Sequence, residues 1–408
     1  MTESPIVILD IGNSSTLCMV GEVIGDRIKL LGMGESLCSG KKRSTITDMT
    51  KVVQSIRAAV DEAERSAGLK ITGAYVGISG EGVSATNQRS TVAITGESSP
   101  IDEDDIARAL AASDPEIATN SSTMMHRIKQ NYAVDGESVE NPLWLHGNRL
   151  TIETMTIAVS DHSSTTLERA CQGADLEIAG FIHETLAAAE TTLSLDEKDM
   201  GVGLLDLGAG SSKIALFAGP IRFLAEIPLG AVDLTRDLSQ VIQVSPSEAE
   251  RLKLETGLSM HSQTAEQFLE FSTTAGRSNK IPATQISEII EARQREIFEL
   301  IREKIDLNPQ KILLPAGFVL TGGGAKLVNI VDLAEEILEM PVRIGVPHGV
   351  VASPQAVQET SYAVALGMLR YAHGNNEELA GSEHAQAQSG TKFSGGLLGK
   401  LGGFFNMF

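Results

Sequence analysis

The sequence predicts an α/β protein made of two similar halves that share one phosphate-binding cleft. Residues 6–23 and 202–219 follow the same plan: an apolar run ends in an aspartate, a glycine turn follows, and a second apolar run returns. The two aspartates are Asp10 and Asp206. A third observation is a later strand that is followed directly by three consecutive glycines. Because internal similarity is stronger than any single motif, we predict a duplicated fold.

Each glycine turn predicts a β-hairpin that presents backbone N–H groups and hydroxyls to an anion. An aspartate at the end of the strand can hold Mg²⁺ through water. A single glycine hairpin is most often only a hairpin, so the repetition carries the prediction of a phosphate site. No P-loop sequence occurs in the chain. The turn residues are Gly12, Ser14, Ser15, Gly208, Ala209, Gly210, Ser211 and Ser212.

Length and charge limit the possible classes of protein. The chain has 408 residues, which is too long for one ordinary core, so two or more domains are expected. Its net charge of −20 would repel a phosphodiester backbone, and only 4% of its residues are aromatic. Nucleic-acid binding is therefore not expected.

The cysteines and the apolar runs indicate a reducing compartment and no membrane span. Cys18, Cys38 and Cys171 lack the spacing of a metal or redox motif, so we expect buried thiols. The first apolar run has no basic segment before it and ends in Asp10, which favours a strand over a signal peptide. No apolar stretch approaches the ~20 residues that a spanning helix needs.

The residues after the first hairpin predict the remainder of one half. We expect a strand at 28–34, a helix that begins after Asp48, and a short buried strand at 74–78. Three strands, a helix and a strand in this order are typical of a ribonuclease-H-like half-domain. The elements predicted to complete this half are a helix at 164–173, a strand at 178–182 and a helix at 184–194.

Residues 83–160 interrupt the first half and have a different pattern. We predict a strand at 83–93, a helix at 101–112 with an acidic start, and strands at 126–134 and 151–159. This strand–helix–strand–strand unit carries no catalytic constellation. We expect it to bind a neighbouring molecule.

The second half follows the second hairpin. Ser245 predicts a helix start, with Glu248 in the position of a capping box, whereas residues 259–282 are polar and poorly patterned. A strand that opens onto glycines and a helix start lets a ligand lie against bare backbone, so Gly322, Gly323 and Gly324 are predicted to back an adenosine. The other elements predicted here are helices at 231–241, 285–305, 327–338 and 361–371 and a strand at 318–321.

The C-terminal end predicts a tether to a surface. Residues 373–394 lack periodicity and have few apolar side chains, which is typical of a flexible linker. In residues 395–408 six large apolar side chains share one helical face, which favours a helix lying in the plane of a membrane. The alternative is that this segment docks on its own body or on a partner. The six residues are Leu397, Leu398, Leu401, Phe404, Phe405 and Phe408.

These motifs, in this order, resemble the actin/Hsp70/sugar-kinase ATPase superfamily and, within it, the FtsA family of bacterial cell-division proteins. The most specific stretch lies in the insertion, where Gln130 and YAVD at 132–135 precede Asn-Pro at 141–142, Gly147 and Arg-Leu at 149–150. LDLGAGSSKIAL, PSEAERLK, VLTGGGAKL and the apolar tail also match. The resemblance covers essentially the whole chain.

The resemblance implies an actin-like ATPase fold with two ribonuclease-H-like halves, an SHS2-like inserted subdomain and a C-terminal amphipathic membrane-targeting helix. The final helix of the body would return to subdomain 1A. The implied division of the chain is 1–82 and 161–195 for subdomain 1A, 83–160 for the inserted subdomain 1C, 196–230 and 309–372 for subdomain 2A, 231–308 for subdomain 2B, 373–394 for the linker and 395–408 for the targeting helix.

The resemblance also implies ATP and Mg²⁺ in the cleft between the halves. Asp10 and Asp206 would face Mg²⁺ through water. Glu250 and Lys253 would reach the ribose and adenine, although by spacing alone they form an ordinary exposed helical pair. The phosphates would lie on Gly12, Asn13, Ser14, Gly208, Gly210 and Ser211, and the adenosine on Gly322, Gly323 and Gly324.

Two residues depart from the pattern of the family. Family members often have lysine where this chain has Ser15, and a carboxylate where it has Lys213. We hypothesise that the phosphate-facing cation has moved from one hairpin to the other, which predicts ATP binding with slow or absent hydrolysis. The alternative is that Lys213 points to solvent. Glu184 would position a water near the γ-phosphate, or would only pack within its helix.

The function implied by the resemblance is an actin-like division protein, at most a slow ATPase, that binds ATP and self-assembles on the cytoplasmic membrane at the septum. Its partners would be the C-terminal peptide of FtsZ, further copies of itself, membrane lipids and later division proteins. Arg293 would grip the acidic peptide, unless it belongs to an ion-pair network with neighbours such as Glu296. The alternatives are a type IV pilus-assembly ATP-binding protein and a small-molecule kinase of the same superfamily.

Overall fold

The structure is a computed structural model that describes residues 5–25, 27–94, 100–113, 121–256, 268–273, 278–351 and 359–374. Residues 375–394 of the predicted linker and the predicted targeting helix at 395–408 lie outside these ranges. Within the described ranges, no helix is both long enough and apolar enough to cross a bilayer.

The described chain contains both strands and helices, which often follow one another in runs of the same type. The strands are β1 (Ile6–Ile11), β2 (Ser15–Ile24), β3 (Arg27–Leu37), β4 (Lys41–Lys42), β5 (Thr45–Ile46), β6 (Gly73–Ile78), β7 (Val83–Ala93), β8 (Ser122–Val134), β9 (Glu137–Val139), β10 (Arg149–Ser160), β11 (Glu177–His183), β12 (Val202–Leu207), β13 (Ser212–Phe217), β14 (Ile221–Ile227), β15 (Phe268–Ser272), β16 (Ser278–Pro282), β17 (Phe318–Thr321), β18 (Val342–Ile344) and β19 (Val350–Val351). The helices are α1 (Met49–Ala67), α2 (Glu103–Ala112), α3 (Asp161–Gly173), α4 (Glu184–Thr192), α5 (Leu195–Met200), α6 (Ala231–Val241), α7 (Pro246–Thr256), α8 (Ala283–Asp306), α9 (Ile330–Leu338) and α10 (363–374).

Two large sheets repeat one topology. The first has the order β11-β6-β1-β2-β3-β19, with β1, β2 and β3 antiparallel and with β6 parallel to both β1 and β11. The second has the order β14-β13-β12-β17-β18, with β12, β13 and β14 antiparallel and with β17 parallel to both β12 and β18. The series β11-β6-β1-β2-β3 therefore matches β18-β17-β12-β13-β14 strand for strand, which confirms the predicted duplicated α/β fold.

The insertion in the first half forms a sheet of its own. Its order is β7-β10-β8-β9, and α2 packs on it over a small apolar cluster that includes Ile101, Leu150 and Ile152. Helix α2 begins with a capping box. The Asp102 carboxylate accepts a hydrogen bond from the Asp105 backbone N–H, and the Asp105 carboxylate accepts one from the Asp102 backbone N–H. The predicted strand, helix, strand and strand are observed as β7, α2, β8 and β10, and the structure adds the short strand β9 between the last two.

The final helix returns to the first half. Helix α10 contributes to the same apolar core as β1, β2 and α4, while the helices α6 to α9 surround a second core on the other large sheet. A Cβ on Gly367 would lie 1.8 Å from the Ala187 carbonyl oxygen, so α10 and α4 touch backbone to backbone. This contact packs the last described helix against the first half.

Several local predictions need correction. Residues 259–282 were expected to lack a pattern, yet β15 and β16 pair there, with Leu269 and Phe271 buried at alternate positions. Strand β14 and helix α5 were not predicted. The helix expected at 327–338 begins only at Ile330, because Leu327 is extended and Asn329 has φ +60°, and a 3₁₀ turn at Gly323–Lys326 precedes them.

The final helix also differs from its prediction. It runs through 363–374 rather than 361–371, after a 3₁₀ turn at Thr360–Tyr362, and so includes the first two residues of the predicted linker. At Ser245 the predicted cap bond is present, since its hydroxyl accepts from the Glu248 backbone at 3.2 Å. The Glu248 carboxylate itself accepts from Arg251 and from the Ser272 backbone.

Candidate functional site

The two glycine hairpins meet across one cleft. Each turn is closed in the same way, because Gly12 and Gly208 each donate their N–H to the serine carbonyl three residues later, at 2.8 and 3.0 Å. A Cβ on Gly210 would lie 2.4 Å from the side-chain amide of Asn13. The second turn can approach the first this closely only without a side chain at that glycine.

The cleft between the hairpins has a cavity volume of about 500 Å³, which suits a small-molecule ligand. It brings together most of the residues that the sequence singled out. Those that line it are Asp10, Gly12, Asn13, Ser14, Ser15, Glu184, Asp206, Gly208, Gly210, Ser211, Lys213, Glu250, Lys253, Gly322, Gly323 and Gly324. Ser212 is the exception, because it is buried and its hydroxyl donates to the Leu229 carbonyl at 2.9 Å.

Lys213 lies at the centre of the charged groups at the base of the cleft. Its ammonium is 3.0 Å from an Asp206 oxygen and 3.0 Å from Glu184 Oε2. The hydroxyl of Ser79 donates to the same Glu184 oxygen at 2.7 Å. The Lys213 side chain is only 10% exposed, so the alternative in which it points to solvent is wrong.

The pKa shifts in this cluster follow from burial and from Lys213. Burial opposes the charge on Lys213, but the carboxylates of Asp206, Glu184 and Glu226 outweigh it and raise the pKa of Lys213. Burial would raise the pKa of Glu184, yet the nearby lysines lower it to about 2. Burial and the Glu184 charge raise the pKa of Asp10 to about 7. Glu184 and Lys213 are therefore both ionised at neutral pH.

Three glycines after β17 line the cleft beside Asp206. A Cβ on Gly322 would lie 2.4 Å from Asp206 Oδ1, and the positive φ of Gly322 also disfavours a side chain. A Cβ on Gly323 would meet nothing within 4 Å and would stand in the open cleft. Because Gly323 has no side chain, a flat ligand can lie directly against its backbone.

Glu250 and Lys253 are tied to helix α6 rather than forming a simple exposed pair. The Lys253 ammonium is buried, 2.8 Å from Glu250, and it donates to the Thr235 hydroxyl at 2.9 Å and to the Ala231 carbonyl at 3.2 Å. Thr235 in turn donates to Glu250 at 2.5 Å. Glu250 keeps 42% of its side chain exposed at the cleft, so its carboxylate remains accessible to a ligand hydroxyl.

Sequence reasoning missed several residues that line the cleft. Lys41 donates to the Ile11 carbonyl at 2.5 Å; its charge helps to lower the pKa of Glu184 and partly offsets the rise in the pKa of Asp10. Ser79 follows directly after the parallel strand β6, and the carboxyl ends of parallel strands are where ligand sites form. Its position at the end of this strand is the feature of the sequence from which Ser79 could have been predicted as a cleft residue. The other missed lining residues include Glu35, Ser44, Val232, Leu254, Lys326 and Tyr362.

Arg293 lies away from the cleft, on α8. It donates to the two carboxylate oxygens of Asp237 at 2.6 and 3.1 Å and also pairs with Glu296. The groove beside it is lined by these two acids, by Glu288 and by the apolar residues Val241, Ile289 and Ala292. The network alternative is therefore present in the structure, and the role of Arg293 in gripping an acidic peptide stays a prediction.

The donor set does not fit Mg²⁺ in the way that the sequence implied. Asp206, one of the two expected carboxylates, is occupied by the Lys213 ammonium at 3.0 Å. Across the described ranges, no group of three or more His, Cys, Asp or Glu side chains is arranged to hold a metal ion. Lys213 thus holds a positive charge where the metal was expected.

Known proteins match the chain in both sequence and fold. Residues 203–367 match the family model of the cell division protein FtsA, and residues 80–158 match the model of the SHS2 domain inserted in FtsA. The cell division protein FtsA of Pseudomonas aeruginosa is 32% identical over 399 residues, covering 93% of each chain.

Two solved structures share the fold at low sequence identity. A PilM–PilN type IV pilus biogenesis complex has a TM-score of 0.62 at 18% identity and covers 90% of this chain and 98% of its own. MreB 5 of Spiroplasma citri, crystallised with AMPPNP, has a TM-score of 0.57 at 13% identity and covers 93% and 98%. At these identities the two structures indicate an actin-like fold.

Proposed function

The chain belongs to the FtsA family of cell-division proteins, and we propose that it is an ATP-binding, actin-like member that self-assembles on the cytoplasmic membrane at the septum. There it anchors the FtsZ ring through the C-terminal peptide of FtsZ and recruits later division proteins. The family favours this function over a pilus-assembly protein or a small-molecule kinase.

The observation that carries the nucleotide-binding proposal is the contact between the two glycine turns across one cleft. The Gly210 turn and the Asn13 turn meet side by side at the cleft, glycine turns of this kind bind anions, and Gly323 leaves open space for an adenosine. Glu250 can accept a hydrogen bond from a ribose hydroxyl. The AMPPNP-bound MreB 5 of the same fold supports a nucleotide as the ligand.

The state of Glu184 favours slow hydrolysis at most. Lys213 and Ser79 hold Glu184 as an ionised carboxylate with a pKa of about 2, which makes this side chain a poor general base for water. The nucleotide would then act through binding, by holding the two halves together. The prediction of a slow or absent ATPase rests on this pairing.

The membrane part of the proposal rests on residues 395–408. Burying six large apolar side chains at about 1.5–3 kcal/mol each exceeds the roughly 1 kcal/mol that each of three glycines costs a helix. Adsorption is led by apolar burial, because the segment carries one lysine and no other charged side chain.

Thermal unfolding of the full chain with and without ATP tests the nucleotide site. A ligand at 100 times its Kd should add about 2.7 kcal/mol to the free energy of unfolding, and an unchanged transition at saturating ATP would refute nucleotide binding. Sedimentation with liposomes tests the tether separately. The full chain should pellet and a variant ending at residue 394 should not, whereas equal pelleting would refute the tether.

A further inference from the structure

Lys213 occupies a position that has no charged counterpart in the first half. In the two hairpins Asp10 pairs with Leu17 across the strands, and Asp206 pairs with Lys213 in the same register. Lys213 is therefore the structural equivalent of Leu17, and Ser15 is the equivalent of Ser211. One half offers an apolar side chain at this point, and the other offers an ammonium.

The Lys213 ammonium satisfies the carboxylates that a divalent ion would otherwise have to neutralise. It lies 3.0 Å from Asp206 and 3.0 Å from Glu184, and both of these side chains are buried. Buried carboxylates need a paired cation or a metal ion. With Lys213 in place, these two carboxylates have a partner without any ion from solution.

The same ammonium lies beside the turn that would cradle phosphate. Its nitrogen is 3.8 Å from the point where a Cβ of Gly208 would stand, and it lines the cleft. An ammonium has three N–H donors, and the two carboxylates use two of them. The third can donate to a phosphate oxygen.

We propose that Lys213 is a built-in cation that replaces Mg²⁺ at the phosphate end of the cleft, so that this chain binds a nucleoside triphosphate without a divalent ion. The inference rests on the proposed nucleotide-binding function and adds that the site is independent of metal. Lys213 cannot dissociate from the site, so chelation of free Mg²⁺ leaves the positive charge in place.

The affinity of the full chain for a fluorescent ATP analogue, measured in Mg²⁺ and in EDTA at equal ionic strength, tests the proposal. We expect the two Kd values to differ by less than about fivefold, and a larger loss in EDTA would overturn the inference while leaving nucleotide binding intact. Absence of binding in both buffers would instead overturn the nucleotide-binding function and the inference together.

A charge-balanced double variant tests whether Lys213 is the reason that nucleotide binding does not need Mg²⁺. Lys213→Met with Glu184→Gln removes one charge of each sign, so the cluster keeps its net charge and Asp206 becomes free to face an ion. This variant should bind in Mg²⁺ and lose at least about tenfold in affinity in EDTA, as a site that needs the metal would. Equal affinity in the two buffers would refute the role of Lys213.

A matched control comes from an exposed pair elsewhere on the chain. Lys280 and Glu270 lie 3.0 Å apart, with 65% and 69% of their side chains exposed. Lys280→Met with Glu270→Gln makes the same two chemical changes and should behave as the wild type in both buffers. If the cleft variant fails to fold, the comparison of the wild type in Mg²⁺ and in EDTA still decides the proposal.

Discussion

Replacing His126 by glutamine should remove a large part of the acid sensitivity of this fold. His126 is 2% exposed on β8 of the insertion, and its Nε2 accepts from the His183 backbone N–H at 3.1 Å. A backbone N–H can only donate, so Nε2 carries no proton and Nδ1–H donates to the Tyr371 hydroxyl at 3.0 Å. The ring therefore joins the insertion, the first sheet and the final helix in its neutral form.

The magnitude follows from the pKa of His126. Burial, aided by His183, lowers this pKa from 6.5 to about 3. The unfolded chain therefore takes up a proton near pH 6.5 that the folded chain does not accept until about pH 3. The contribution of His126 to the free energy of unfolding is full above pH 6.5 and falls by about 1.36 kcal/mol per pH unit below it. Between pH 6.5 and pH 5 the loss is about 2 kcal/mol.

Urea unfolding of the wild type and of His126→Gln at several pH values measures this difference. Groups such as Asp10, whose raised pKa acts in the opposite direction, are present in both proteins and cancel in the comparison. The wild type should lose about 2 kcal/mol more than the variant between pH 6.5 and pH 5. His162→Gln, at an exposed histidine, should lose as much as the wild type. Equal slopes for the wild type and His126→Gln, or an NMR titration of His126 near pH 6.5 in the folded chain, would refute the reasoning.

Three further predictions concern the cleft, α8 and the tail. Gly323→Ala should weaken ATP binding by at least about tenfold with an unchanged melting temperature, because the added methyl group would stand in the cleft. Gly322→Ala should instead lower the free energy of unfolding by more than about 1 kcal/mol, because its Cβ would collide with Asp206. The reverse pattern would show that the adenosine does not lie against Gly323. Arg293→Ala should weaken binding of the FtsZ C-terminal peptide, and an unchanged peptide titration would show that Arg293 serves only its pair with Asp237. Deletion of 395–408 should abolish sedimentation with liposomes while ATP-dependent stabilisation persists, and retained sedimentation would contradict the tether.

The sequence by itself determined the features that depend on neighbouring residues. The two hairpins are local, since each forms within about twenty residues, so their glycines and aspartates are visible as a repeated pattern. The same holds for helix α1, because the Asp48 side chain caps the Lys51 backbone three residues away. The halves, the insertion and most cleft residues followed from such patterns.

Only the tertiary structure decided the partners of the charged side chains. Lys213 lies on β13, whereas Glu184 begins α4 and Ser79 follows β6, and no spacing in the sequence relates these three elements. The same is true of His126 and Tyr371, which are brought together from the insertion and the last helix. The sequence shows that a side chain can be charged but does not show its surroundings. Its burial and its distance to the nearest opposite charge decide whether it binds a ligand, binds a metal ion or forms an ion pair within the protein.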